Sequence, residues 1–240
     1  MVLWLRHRRL LWSILVALAT LLLTLLLTGR QTRPTAVGGE ISSPGTVIVL
    51  DAGHGGEAGG AVSPDGVPES GINLQIVRKA EGLLVFLGRS VRLTRTGEEA
   101  IYSPEAKTLR EKKVSDLKNR VALINALPHA VLLSIHQNSM PQHPAVHGAQ
   151  VFSNSQEPAA GLAQSIQQAL NLTVNTGNEK TAKAIGDSVY LMKHITCPGV
   201  LVECGFLSNA EEEAKLSCAT YQKKLCCVIA ATVSQYLSNT

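Results

Sequence analysis

Four side chains that can bind a metal ion or transfer a proton stand out, because each adjoins a run of apolar residues. His54 follows an apolar run and an Asp-Ala-Gly turn, and His136 ends a second apolar run. Glu203 ends a third, and Glu69 precedes a long pattern of apolar residues at helical spacing. Two imidazoles and one carboxylate are sufficient protein ligands for a catalytic zinc ion, which leaves a second carboxylate free for proton transfer.

The elements around these residues predict an α/β fold. Short apolar runs alternate with segments of helical spacing, which is typical of a mixed, largely parallel twisted sheet with helices on both faces, in a single domain. Strands are predicted at 46–51, 90–94, 131–136, 149–152, 189–192 and 200–203, and helices at 72–87, 114–127, 159–170, 210–216 and 221–237. Since ligands gather at the carboxyl ends of parallel strands, we expect His54, His136 and Glu203 at one rim, with Glu69 beside them.

Each of the four residues also has an ordinary structural interpretation. Glu69 can be an acid in a first helical turn, His136 a hydrogen-bonded histidine at a strand end, and Glu203 the partner of a buried arginine. Taken singly, these readings are at least as strong as the functional ones. Four such residues, each placed at a strand end or a loop by its own pattern, together favour a site.

Neighbouring polar residues admit two interpretations each. Asp51 and Asn73 either orient a ligating histidine or serve as turn and cap residues. Asn138 and Ser139 either contact substrate or hydrogen-bond their own loop. The long connections at 97–110 and 172–188 are candidates for shaping a groove. We expect the arginines, Arg95 and Arg120, to form structural ion pairs rather than to clamp a substrate.

The four candidates lie in segments with a recognisable pattern. LDAGHGGEAGGAV, VPESGINL, LLSIHQNS and PGVLVECGFLSNAEE resemble the motifs of the zinc-dependent N-acetylmuramoyl-L-alanine amidases, the amidase type 3 family. The likeness covers residues 46–237 in the family's order, and within the family the chain most resembles the germination-specific, single-domain amidases of endospore formers. The resemblance implies that His54, Glu69 and His136 are the ligands of Zn²⁺ and that Glu203 is the catalytic glutamate.

The resemblance also implies a reaction, which is hydrolysis of the amide between N-acetylmuramic acid and L-alanine in peptidoglycan. For the germination-specific type, stem peptides would be removed from spore cortex before muramic lactam forms. Two alternatives are a zinc peptidase that cuts within the stem peptide and a non-catalytic wall-binding protein. The chain departs from the family at Ser70, where a basic residue is usual. The family also commonly has an acidic residue a few positions after the double glycine, and the sequence leaves open whether Glu57 takes its place. These departures concern substrate contacts more than the reaction itself.

The amino-terminal segment predicts export. An uncharged run at residues 10–28 follows three arginines, and at 1.5 Å per residue it approaches the bilayer's hydrocarbon thickness of about 30 Å. We expect residues 1–29 to be a membrane anchor or signal sequence, with an uncleaved anchor favoured, and 30–45 to be a flexible linker. Residues 46–240 would then form the amidase catalytic domain, acting on the extracytoplasmic face of the membrane in the spore envelope.

The composition of the chain further limits the range of possible functions. A chain of 240 residues with 45% hydrophobic content can hold one well-packed domain. Five of the 22 Lys and Arg residues precede that domain, so the net charge of +4 does not describe it, and we expect no nucleic-acid binding. The basic stretch 107–120 is predicted to be a solvated helix flank. Five cysteines without C-x-x-C spacing argue against a regular disulfide framework. The sequence leaves open whether the enzyme needs an activating protein partner.

Overall fold

The computed structural model describes residues 45–239, and the structural statements below concern that part of the chain. The predicted anchor at 1–29 lies outside the described residues, as does nearly all of the predicted linker at 30–45. None of the helices between residues 45 and 239 combines the length and the apolar character that crossing a membrane requires.

The described residues contain one mixed sheet. Its strands are β1 (Val47–Ala52), β2 (Ser90–Leu93), β3 (Ala130–Asn138), β4 (Gln150–Ser153), β5 (Lys183–Ala184) and β6 (Gly199–Phe206). They are arranged in the order β2-β1-β3-β6-β4-β5. β1 pairs in parallel with β2 and β3, and β3 pairs in parallel with β6, whereas β4 is antiparallel to β6. The predicted mixed, largely parallel sheet is therefore confirmed.

Helices cover both faces of this sheet. Within residues 45–239 they are α1 (Glu69–Phe86), α2 (Leu109–Asn125), α3 (Ala159–Thr173), α4 (Tyr190–His194), α5 (Ala210–Ser217) and α6 (Ala219–Ser238). α1, α3, α5 and α6 pack on the face that carries Leu133 and Val202. α2 and α4 pack on the opposite face, which carries Leu132 and Leu201. Successive residues of a buried strand thus supply two different cores, which explains why the strands read as continuous apolar runs.

The strand register brings the ends of three strands to one rim. His136 of β3 lies directly beside Glu203 of β6, and Asp51 of β1 lies beside Ser134 of β3. β1 ends two residues before His54. Helix α1 begins at Glu69, so this carboxylate sits in the first turn, as one of the sequence interpretations proposed.

One predicted strand is wrong, because residues 189–192 belong mainly to helix α4 rather than to the sheet. Leu191 and Met192 are adjacent and both buried, which a helix packed beside α2 allows and an alternating strand does not. The rings of Tyr190 and His194 stack with centroids 4.0 Å apart, one helical turn from each other. A short apolar run does not show its period, so the sequence pattern could not separate helix from strand here.

Candidate active site

Two histidines and one glutamate converge at the rim, and we call them the His-Glu-His group: His54, Glu69 and His136. Nε2 of His54 lies 3.2 Å from Oε1 of Glu69, and Nδ1 of His136 lies 3.5 Å from Oε2 of Glu69. One possible ligand atom from each residue lies within 4.8 Å of the others. The Glu69 side chain is only 4% exposed and that of His54 is 28% exposed, so the group opens toward solvent on the His54 side.

The carboxylate of Glu69 is held by hydrogen bonds from three directions. The backbone N–H of Ala61 donates to Oε1 at 2.7 Å, and the backbone N–H of Gln137 donates to Oε2 at 2.9 Å. Nδ2 of Asn73 also donates to Oε2, at 3.1 Å. Gly60 has a φ of 78° and packs so closely on this carboxylate that any Cβ there would overlap it. The orientation of Glu69 is therefore fixed by its surroundings.

The turn that carries His54 is held by two buried arginines. Arg120 donates to the carbonyl oxygens of Ala52 and His54, both at 2.8 Å. Arg95 donates to the carbonyls of Ala52 at 2.9 Å and Gly53 at 3.2 Å. His54 has a φ of 61°, an uncommon value for a residue with a side chain, and these bonds secure it. Arg95 has a structural role as expected, but through backbone carbonyls instead of the predicted ion pair.

Arg120 also lies at the centre of a second group, which we call the Arg120 cluster: Arg120, Asp51 and Asp116. Its Nη1 lies 2.5 Å from Oδ1 of Asp51 and its Nε lies 2.9 Å from Oδ2 of Asp116. Thr94 donates to Asp51 at 2.7 Å and Ser134 at 2.6 Å. Burial would raise the pKa of Asp51, but the charge of Arg120 and these hydrogen bonds lower it to about 2. Asp51 therefore binds Arg120 and two hydroxyls rather than a ligating histidine.

Glu203 has a different environment from the other buried carboxylates. Its Oε2 is buried and has no hydrogen-bond partner within residues 45–239. Burial raises the pKa of Glu203 to about 7, with His136 opposing the shift and Glu69 adding to it. The alternative interpretation, in which Glu203 pairs with a buried arginine, is wrong for both buried arginines. Arg120 binds two aspartates, and Arg95 donates to backbone carbonyls. Glu203 is thus left as a carboxyl group able to take up and release a proton near neutral pH.

The three residues of the His-Glu-His group have pKa values that are shifted in different directions. Burial lowers the pKa of His54, and the attraction of Glu69 opposes this only in part. Burial also disfavours the charged form of His136, but its hydrogen bond to Glu69 and the nearby Glu203 carboxylate raise its pKa. For Glu69, the effect of burial is outweighed by the hydrogen bond from His136 and the charge of His54, and its pKa falls to about 2. Glu69 is accordingly an ionised carboxylate facing two imidazoles.

A cleft of about 310 Å³ opens over the His-Glu-His group on the side of α2. His54, His136 and Glu203 line its floor, together with Asp51, Arg120 and Leu201. Its walls are mainly apolar and come from the loop 97–110, from α2, and from the segment around α4, namely Ala100, Tyr102, Leu109, Leu117, Val189, Tyr190 and Leu191. Of the two predicted groove loops, 97–110 contributes directly, whereas 172–188 contributes only its last residue, Ser188.

Sequence reasoning did not single out Gln137 or Gly60. Nε2 of Gln137 donates to Oδ1 of Asn73 at 3.1 Å, so it supports the side chain that holds Glu69. The sequence signal that could have identified Gln137 is the run of polar residues at the end of a buried strand. Since side chains alternate along a strand, Gln137 lies on the face opposite His136. Asn73 itself contacts Glu69 and the Gly53 carbonyl, and neither histidine ring. Asn138 bonds its own loop, accepting from the Ser139 N–H at 2.7 Å.

Comparison with known proteins identifies the class to which this fold and site belong. The model of the N-acetylmuramoyl-L-alanine amidase family, Amidase_3, matches residues 48–235. The chain therefore belongs to the N-acetylmuramoyl-L-alanine amidase family, as the resemblance implied, and is an enzyme of that class.

Individual relatives show which members of the family the chain is similar to. The chain is 30% identical to the germination-specific N-acetylmuramoyl-L-alanine amidase of Bacillus subtilis over 194 residues, which cover 81% of each chain. It is similar to the CwlD amidase of Clostridioides difficile, solved in complex with the GerS lipoprotein, with a TM-score of 0.77 and 37% identity over 81% of this chain and 100% of that one. An N-acetylmuramoyl-L-alanine amidase of Clostridium difficile 630 gives a TM-score of 0.70 and 26% identity over 82% and 100%.

Proposed function

We propose that this protein hydrolyses the amide between N-acetylmuramic acid and L-alanine, with one zinc ion held by His54, Glu69 and His136 and with Glu203 as the acid and base. The observation that carries the proposal is the pairing of a His-Glu-His group with an adjacent buried carboxyl whose Oε2 has no partner in the described part of the chain. Family membership supplies the bond that is cut.

The donor set fits zinc in particular. Two imidazole nitrogens and one carboxylate oxygen form a ligand set of catalytic zinc sites, which keep a further position open. The contacts of Glu69 with Ala61, Asn73 and Gln137 fix the carboxylate, as the supporting residues of metal sites commonly do. When bound, zinc supplies Lewis acidity, which makes water a stronger nucleophile at neutral pH and polarises the scissile carbonyl.

Glu203 performs the proton transfers in this proposal. Its carboxylate accepts a proton from the attacking water, and its carboxyl then gives that proton to the departing alanine nitrogen. A pKa of about 7 suits both halves of this task, since neither form is strongly favoured near neutral pH. Because the walls of the cleft are mainly apolar, a bound substrate would displace water from the region where the proton moves.

The test is a product analysis on purified muropeptides with the full-length protein. Mass spectrometry of the products should show free stem peptide that begins with L-alanine, together with glycan that has lost its peptide. A chelator should abolish this release, and added zinc should restore it. Products cut inside the stem peptide would instead favour a peptidase, and the absence of any product from the zinc-loaded protein would favour a wall-binding role.

The substrate in the cell is proposed to be spore cortex peptidoglycan. The support is the similarity to a relative described as germination-specific. Deletion of the gene in the source organism should give spores whose cortex lacks muramic lactam and which fail to complete germination. Spores of the deletion strain that contain normal muramic lactam would restrict the proposal to wall amidase activity in general.

The amino-terminal residues 1–29 are proposed to anchor the enzyme to the extracytoplasmic face of the membrane, with 30–45 as the tether to the catalytic domain at 46–240. The uncharged run 10–28 after three arginines supports this assignment. Cell fractionation followed by mass measurement of the mature amino terminus tests it. Recovery in the membrane fraction with an intact amino terminus is expected, whereas a soluble protein that has lost residues 1–29 would indicate a cleaved signal sequence.

An activating protein partner is also proposed, since the similar CwlD amidase was solved in complex with the GerS lipoprotein. If this protein depends on such a partner, its purified form should bind zinc weakly or turn over slowly. Full activity and stoichiometric zinc in the purified protein alone would contradict the proposal of a partner without affecting that of the amidase.

A further inference from the structure

One wall of the cleft carries a lysine whose charge is not balanced by a neighbour. We use the term α2 wall for Tyr102, Leu109, Lys112, Lys113 and Leu117, all of which line the cleft. The sequence predicted that the basic stretch containing these lysines would be a solvated flank. That prediction holds for Lys107, Lys113 and Lys118, which are exposed, but Lys112 and Lys113 also line the cleft.

The other cations at the cleft have ionic partners. Arg120 is paired with Asp51 and Asp116. Nζ of Lys112 lies 2.7 Å from Oε1 of Glu57 and 5.3 Å from the centre of the Tyr102 ring. Lys113, by contrast, has no carboxylate within ion-pair distance among residues 45–239. Its ammonium group is therefore available to a ligand that enters the cleft.

The position of Lys113 brings no benefit to the helix itself. α2 begins at Leu109, so Lys113 lies in its second turn, near the positive end of the helix dipole. The helix start is already satisfied by a capping box between Thr108 and Glu111. A lysine here gains little from its own helix, whereas an anion in front of it would be attracted by the charge of the lysine.

The chemistry of the wall indicates what kind of anion would bind. Lys113 is exposed at the edge of a cleft whose walls are mainly apolar, so a ligand that fills the cleft would offer aliphatic groups as well as a negative charge. In the substrate of this family the muramoyl carboxyl is consumed in the scissile amide, and N-acetylated sugars carry no charge. Free carboxylates therefore belong to the peptide on the other side of that bond.

We propose that Lys113 binds a free carboxylate of the stem peptide and so makes the enzyme selective for acidic stem peptides over amidated ones. The inference rests on the proposed amidase function. Lys112 plays a different part, because its pairing with Glu57 and its contact with Tyr102 keep the wall in place. Lys113 is thus a specificity-determining residue, and it takes no part in the bond cleavage.

The experiment compares two muropeptides that differ only in whether the peptide carboxylates are free or amidated. The full-length, zinc-loaded protein is assayed as wild type, Lys113→Gln and Lys113→Arg, with Lys118→Gln as the matched control from the same helix. We expect Lys113→Gln to raise KM for the acidic muropeptide about twofold to fivefold, the upper part of the range for an exposed ion pair, with kcat unchanged. Lys113→Arg should retain most of the wild-type preference.

The amidated muropeptide provides the internal check. Wild type should bind it more weakly than the acidic one, and Lys113→Gln should cause no further loss on it. A second readout is the Kd of each muropeptide for proteins that also carry Glu203→Gln, which should change in the same ratio without turnover. An equal effect on both muropeptides, or the same effect from Lys118→Gln, would overturn the role of Lys113 while leaving the proposed amidase intact. If the zinc-loaded wild type cleaves neither muropeptide, the proposed function itself fails.

Discussion

Two groups of charged side chains are buried next to each other at the end of β1, and they differ in how their bonding capacity is used. In the Arg120 cluster, Asp51 receives bonds from Arg120, Thr94 and Ser134, so both of its oxygens have partners within the protein. In the His-Glu-His group, one carboxylate faces two imidazoles and the neighbouring Glu203 keeps an oxygen without a partner in the described chain.

This difference separates a structural role from a functional one. A buried charge cluster that is fully paired stabilises its own geometry, and removal of one partner is costly because the other charge is left buried. The Arg120 cluster also fixes the carbonyls of Ala52 and His54, so it positions the turn that presents one of the histidines. The His-Glu-His group has one possible ligand atom from each residue within 4.8 Å of the others, an arrangement that a cation could join. Substitutions in the two groups should therefore have different effects on stability, zinc affinity and turnover.

The largest effect is expected from the loss of a histidine. His136→Ala should remove a ligand, so zinc affinity should fall by more than the ~100-fold seen when only a supporting residue is lost, and amidase activity should fall to background. Isothermal titration with zinc and a muropeptide assay measure both quantities. His143→Ala, which removes an exposed loop histidine outside the cleft, is the control and should resemble wild type.

Loss of the unpaired carboxylate should separate chemistry from metal binding. Glu203→Gln retains the shape of the side chain but cannot transfer the proton, so kcat should fall by about 10²- to 10⁴-fold. The zinc content should equal that of wild type when measured on the same preparation. A variant that turns over muropeptides at the wild-type rate would exclude Glu203 as the acid and base.

A matched pair of glycines tests whether the orientation of Glu69 matters to the metal. Gly60→Ala and Gly66→Ala both place a side chain at a positive φ, of 78° and 85°, and should therefore carry the same backbone strain. Only at Gly60 would the new Cβ overlap the Glu69 carboxylate, since Gly66 has open space around it. Zinc affinity should fall about 10- to 100-fold in Gly60→Ala alone. Equal affinities in the two variants would show that the carboxylate does not hold the metal.

The Arg120 cluster should reveal itself in stability rather than in zinc affinity. Asp51 has a folded-state pKa of about 2, below its ordinary value of 3.8, so its ionised form stabilises the fold. At neutral pH this contribution is about 2 kcal/mol, and it is lost as the pH falls from about 4 toward 2. Urea unfolding of wild type and Asp51→Asn should therefore differ most above pH 4. A difference that stays constant down to pH 2 would contradict this assignment.

The sequence allowed the rim residues to be predicted because their placement follows from local patterns. His54, His136 and Glu203 each follow an apolar run, and parallel strands bring such ends to one edge. Glu69 was found because a helical pattern begins beside it. These signals need only a few neighbouring residues, so no knowledge of distant contacts was required.

The remaining features depend on contacts between distant segments. Arg120 reaches Asp51 across 69 positions of sequence, and Gln137 reaches Asn73 across 64, so no local pattern identifies these partners. Lys113 lines the cleft because of the way α2 packs on the sheet. The spacing of apolar residues in α2 does not predict this orientation. Likewise, the segment around Tyr190 is a helix because of what it packs against, and its period alone could not show this.

The most direct test is to locate the metal in crystals of the full-length protein grown with zinc. Anomalous diffraction recorded on both sides of the zinc absorption edge should show one strong peak bounded by His54, Glu69 and His136. Zinc-saturated crystals with no peak at these three side chains, or with the zinc bound by other residues, would contradict the proposed zinc site.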